Sequence, residues 1–107
     1  MTHRRLDEMS GGWMVGDFAP ACIRTAACEV ACKRYDAGAS EAKHVHRIAT
    51  ELTLIVSGKV TMNGRTFKAG DIVLLGPGDP ADFLAIEKTT TVVVKLPSAA
   101  DDKHLVE

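Results

Sequence analysis

The chain has 107 residues, enough for one domain with a single core and no covalent staples. Its apolar fraction of 46% and charged fraction of 25% are those of an ordinary globular protein. The net charge is −1 and Lys and Arg are scattered, which excludes the basic stripe of a nucleic-acid binder. No apolar run approaches the ~20 residues of a membrane helix.

Met1 to Gly12 is polar and closes on Gly11-Gly12, a loose arm or an edge strand. It lacks the apolar core of a signal peptide, so a cytoplasmic location is the default expectation. Trp13 to Ala19 mixes apolar residues with Gly16, a short irregular strand that Pro20 ends. From Thr25 to Tyr35 the chain alternates, with Cys28, Val30 and Cys32 on one face and Glu29, Lys33 and Tyr35 on the other. A period of two marks a strand. Asp36-Ala37-Gly38 is a turn.

Glu51 to Ser57 carries the strongest strand pattern. Its Leu52/Leu54/Val56 face is wholly apolar and is expected to be buried. Its Glu51/Thr53/Ile55/Ser57 face starts polar and turns apolar, which suits a cavity wall. Lys59 to Met62 and Arg65 to Lys68 flank Asn63-Gly64. Asn-Gly supplies the two positive φ angles of a hairpin turn. Gly70-Asp71 turns into an apolar strand, Ile72 to Leu75. Gly76-Pro77-Gly78-Asp79-Pro80 cannot be regular structure. Phe83 to Ile86 and Thr90 to Leu96 are the last strands; Thr89 to Val94 is all β-branched. The polar tail, Ser98 to Glu107, frays or docks through Leu105 and Val106.

No segment shows a sustained helical period. Short strands separated by Gly and Pro turns predict an all-β sandwich or barrel. The single domain spans 1–107, with a barrel core at about 25–96, an N-terminal arm at 1–24 and a C-terminal tail at 97–107.

Chemistry concentrates between Gly38 and Gly58. On a strand His44 and His46 point to one face, ~7 Å apart along the backbone. Two imidazoles on one face can share a metal ion. Glu51 comes five residues after His46, so an unbroken strand would turn it away. A bend through Arg47 to Thr50 is required to bring its carboxylate back.

These residues resemble the first motif of the cupin superfamily, G-x5-H-x-H-x4-E-x6-G. Gly38, His44, His46, Glu51 and Gly58 keep every spacing over 21 residues. The resemblance runs from about Thr25 to Leu96 and implies a cupin-type jelly-roll β-barrel of antiparallel strands. The second motif, G-x5-P-x-G-x2-H-x3-N, is degraded. Gly70 and Gly78 match. Gly76 replaces Pro, Ala81 replaces the metal-binding His, and Ala85 replaces Asn.

The resemblance implies one divalent metal ion, Fe, Mn, Zn or Ni, held by His44, His46 and Glu51. With Ala81 in the third His position, four readings stand. Two His and one carboxylate suffice, as in the Fe(II) facial triad with open positions. Asp82 joins through a local bulge. One of Cys22, Cys28 or Cys32 completes the sphere. Or metal binds weakly or not at all. The three cysteines, odd in number and without C-x-x-C, otherwise read as small buried apolar residues.

Thr53, Ile55, Ala81 and Phe83 are expected to line a cavity for a small-molecule ligand, with Phe83 read first as a core residue. Lys43 and Arg47 are expected to face solvent. The apolar Leu52/Leu54/Val56 and Val92 to Val94 runs exceed what one small barrel can hide, which suggests a C2 homodimer. Two functions follow. One is a metal-dependent enzyme, with Tyr35 and Asp82 the only other groups for proton transfer. The other is a non-catalytic ligand-binding or sensor cupin.

Overall fold

The computed structural model describes residues 1–106, and among these it contains strands and two short 3-10 turns, with no α-helix. The strands are β1 (Trp13–Gly16), β2 (Ile23–Arg24), β3 (Glu29–Tyr35), β4 (Ser40–His46), β5 (Thr50–Ser57), β6 (Lys59–Met62), β7 (Arg65–Lys68), β8 (Ile72–Leu75), β9 (Ala81–Ala85), β10 (Thr89–Leu96) and β11 (Lys103–Leu105). The turn signals of the sequence separate them. Asn63, with φ of 51°, and Gly64, with φ of 77°, make the β6–β7 hairpin.

The strands form two sheets, ordered β2-β1-β3-β10-β5-β8 and β11-β4-β9-β6-β7. All pairings are antiparallel except β1 with β2. This is an all-β jelly roll. The core lies between the sheets: Ile55 from the first meets Val60, Met62, Ala81, Phe83 and Ala85 from the second. Burying side chains such as Ile55 and Phe83 stabilises by roughly 1.5–3 kcal/mol each. Tyr35 packs on Phe83 with ring centroids 4.6 Å apart. The polar N-terminal arm is anchored rather than loose, because it makes two 3-10 turns and buries Met9.

Alternation fixes which side chains enter the interior. On β5 these are Glu51, Thr53 and Ile55; on β10 they are Thr89, Thr91, Val93 and Lys95. The Leu52/Leu54/Val56 face, expected inside, lies outside. Leu52 and Leu54 are half-buried and Val56 is exposed. The reason is position: a strand in a two-layer fold has one interior face, and the Glu51 face takes it. Likewise the odd-numbered face of β3 points inward, with Ala31 fully buried. Cys28 and Cys32 are therefore half-buried on the other face and Cys22 is exposed, so none is a core residue.

The tail docks, but not through its apolar residues. β11 pairs with β4, placing Lys103 opposite His46 and Leu105 opposite His44. Leu105 and Val106 stay exposed. Asp102, just before β11, is buried instead.

Candidate metal centre and its cavity

His44 and His46 lie near the end of β4 and are both buried. Their rings stand edge to face with centroids 5.3 Å apart. His44 Nδ1 lies 3.0 Å from the Ala42 carbonyl oxygen. A carbonyl only accepts, so Nδ1 carries the proton and the Nε2 lone pair is free. His46 Nε2 is buried with no hydrogen-bond partner among the described residues. Glu51 Oε1 is 3.7 Å from it.

The required bend between His46 and Glu51 is present. Arg47 and Ile48 leave strand geometry and β5 restarts at Thr50. Asp102 holds the bend. Its Oδ1 accepts from the Arg47 and Ile48 N–H groups, both at 3.0 Å, and its Oδ2 accepts from Ala49 at 2.9 Å. Burial pushes the Asp102 carboxyl up, but the N–H donors outweigh it and hold the group below its ordinary range. Burial also pushes Glu51 up. The neighbouring His46, Lys95 and His44 more than offset that and hold the Glu51 carboxyl below its ordinary range.

A cavity of about 140 Å³ opens beside His44 and Glu51. Thr53, Ala81 and Phe83 line it. Ile55 does not; it is fully buried in the core below the cavity floor. Ser57 is exposed at the far end of β5. Sequence reasoning missed Trp13, Lys33, Glu41, Thr91 and Lys95, which also line the cavity. Lys33, Thr91 and Lys95 stand on β3 and β10, whose alternation was visible without showing which face turned inward; Trp13 comes from β1, and Glu41 reaches the side of His44 only through the register shift in β4. His46 faces a separate recess with Asp102 and Lys103.

Among the described residues no three His, Cys, Asp or Glu side chains meet as a ready-made metal cluster. The donor chemistry nonetheless fits a divalent cation. One imidazole nitrogen is freed by its partner's hydrogen bond, a second is buried without one, and an ionised carboxylate stands beside it. Asp82 is committed elsewhere. Its Oδ1 accepts from the Asn63 N–H at 2.7 Å, tying β9 to the β6–β7 hairpin. None of the cysteines lines this cavity.

The sequence matches no family model and no curated protein. Solved structures do resemble it. An uncharacterised double-stranded β-helix protein from Klebsiella pneumoniae is 28% identical with a TM-score of 0.70; the match covers 78% of this chain and 73% of that one. A cupin protein from Bacteroides fragilis is 23% identical with a TM-score of 0.57, covering 71% and 70%. The chain folds as a small cupin domain.

Cupin-fold neighbours include enzymes. The DMSP lyase DddQ from Ruegeria pomeroyi is 18% identical with a TM-score of 0.72; the match covers 88% of this chain and 49% of that one. Within this fold Ala81 pairs directly with His44 across β9 and β4. Ala81, where the resemblance to the second motif leads one to expect an imidazole, presents a methyl group to the cavity. Among the described residues no helix is long and apolar enough to cross a membrane.

Proposed function

We propose that this cupin domain binds one divalent metal ion through His44, His46 and Glu51, and a small molecule in the cavity beside them. The observation that carries this is His46 Nε2, buried without a partner and 3.7 Å from the Glu51 carboxylate. A buried, unsatisfied nitrogen is costly, and a cation shared with Glu51 relieves it. A bound ion there supplies Lewis acidity, and redox chemistry if it is iron.

The chain's own residues set a polar network beside the cavity. The Tyr35 hydroxyl donates to Glu41 Oε1 at 3.2 Å, and Lys33 Nζ donates to the same oxygen at 3.3 Å. Burial, then Glu41, pushes the Tyr35 phenol well above its ordinary range. Tyr35 therefore stays protonated at neutral pH and serves as a hydrogen-bond donor, neither a base nor a ready acid. Burial raises the Glu41 carboxyl, but Lys33 and Lys103 pull it below the usual range, so Glu41 is an ionised hydrogen-bond acceptor for Tyr35 and Lys33.

Metal analysis of freshly purified protein tests the metal reading. One equivalent in the wild type, lost in His46→Ala and in His44→Ala, is expected. Substoichiometric metal unchanged by His44→Ala overturns it. A second reading, a ligand-binding cupin without metal, is favoured by the failure of three donors to converge. Redox-active iron with dioxygen uptake would sink that alternative.

We further propose that a second copy covers the outer face of the six-stranded sheet. Two apolar rows cross four strands there. Val30, Val94, Leu52 and Leu74 stand in one register, and Cys32, Val92, Leu54 and Ile72 in the next. Ile72 and Leu74 are 58% and 66% exposed. A contiguous apolar face of this kind marks an interaction surface, and the face can be self-complementary about a two-fold axis. The cytoplasm remains the proposed compartment.

A further inference from the structure

The cavity holds more polar capacity than the metal ligands use. Three cations line it: Lys33, Lys95 and Lys103. Three acids line it too, and each is engaged. Glu41 takes Lys33 at 3.3 Å, Glu51 faces His46 at 3.7 Å, and the Asp82 carboxylate takes the Asn63 N–H at 2.7 Å. Lys95 enters no ion pair among the described residues. Its ammonium sits over the Trp13 ring instead, 4.8 Å from the centroid, and Lys33 lies 5.6 Å from the same ring. Trp13 thus holds two ammonium groups at the cavity mouth by cation–π attraction.

A second observation points into the same space. Thr91 is fully buried, lines the cavity, and its Oγ1 makes no well-formed hydrogen bond among the described residues. The inner wall beyond it is apolar, formed by Met62, Leu75, Phe83 and Val93.

We propose that the cavity binds a small aliphatic carboxylate, its charge against Lys95, one oxygen within reach of Thr91 and its short alkyl chain against the apolar wall. Size agrees: about 140 Å³ is well below the ~300–1,000 Å³ of pockets for drug-sized molecules. The apolar wall selects a carboxylate over an inorganic oxyanion, which has nothing to bury there. The inference rests on the cavity being the ligand site and does not need the metal.

Calorimetric titration of the full chain with butyrate, butyramide and inorganic phosphate tests it. Butyrate binds one site, and butyramide and phosphate bind at least about tenfold more weakly, because hydrogen bonds to charged groups outweigh neutral ones. Lys95→Met weakens butyrate at least about tenfold, whereas Lys95→Arg, which keeps the charge, stays within about threefold. Equal binding of butyramide, equal binding of phosphate, or an unchanged Lys95→Met overturns the proposal. If Lys95→Met fails to fold, the butyrate–butyramide comparison in wild type and in Lys95→Arg still decides. Butyrate binding persists after treatment with EDTA. Its loss there overturns the lysine site, because the ion would then be holding the anion. Metal content, measured separately on untreated protein, tests the metal reading alone.

Discussion

Asp102 Oδ2 accepts a hydrogen bond from the Ala49 N–H at 2.9 Å, joining residues 53 positions apart in the chain. The same carboxylate takes the N–H groups of Arg47 and Ile48. The C-terminal segment therefore clamps the bend that carries the chain from His46 to Glu51.

Removing that clamp leaves three loop N–H groups without their acceptor. Asp102→Ala is expected to lower stability by about 2–4 kcal/mol, read from urea unfolding at pH 7. The folded protein holds this carboxyl below its unfolded value, so the unfolded chain takes up the proton first. The contribution is complete above about pH 4 and is lost as pH falls through the folded value. Wild type should thus lose more stability than Asp102→Asn between pH 7 and pH 3. Equal losses would show that Asp102 does not set the acid response.

Ala81 stands opposite His44, is 3% exposed and borders the cavity. Ala81→His is expected to add an imidazole to the metal centre and to tighten metal binding about tenfold or more. Competition against a chelator of known affinity measures this. Unchanged affinity in a folded variant would place the metal away from His44.

Gly38 and Gly58 bound the first motif, and both have positive φ, 88° and 94°. Their surroundings differ. A Cβ at Gly38 would meet open space, whereas one at Gly58 would run into the Lys88 carbonyl and Thr89. Gly38→Ala should cost only the left-handed backbone penalty, about 1–2 kcal/mol. Gly58→Ala should cost about 3 kcal/mol or more, because the β9–β10 turn must also move. Thermal or urea unfolding of the two variants side by side gives the difference; equal costs contradict this account.

The outer apolar face makes a prediction about assembly. Sedimentation equilibrium at high micromolar concentration should show a dimer. Leu74→Glu, at an exposed position of β8, should give a folded monomer. A monomeric wild type removes the dimer, as does a Leu74→Glu chain that remains dimeric.

The cation–π pair at the cavity mouth should be visible in stability as well. Trp13→Leu keeps apolar bulk but removes the ring over Lys95 and Lys33. A loss of roughly 1–2 kcal/mol that shrinks when Lys95→Met is already present is expected in a double-mutant cycle. Strict additivity would show that ring and ammonium are not coupled.

The sequence by itself determined the strands, the turns and the His-x-His-to-Glu spacing. Local chemistry sets these: Asn63-Gly64 admits positive φ, Gly76 to Pro80 cannot pair, and β-branched residues fill β10. It even demanded the bend between His46 and Glu51, because five residues on a strand reverse the face. It did not determine which face of a strand is inside. Alternation gives Leu52/Leu54/Val56 and Glu51/Thr53/Ile55 equal standing as faces, and apolarity argued for the wrong one. Only the tertiary structure, by packing the second sheet against the Ile55 side of β5, turned Glu51 inward and left the leucines outside. Only it brought Asp102 to Ala49, Lys95 to Trp13, and Asp82 to Asn63 rather than to the histidines. Such partners are far apart in the chain or on different strands, and nothing local in a sequence records which strand lies beside which.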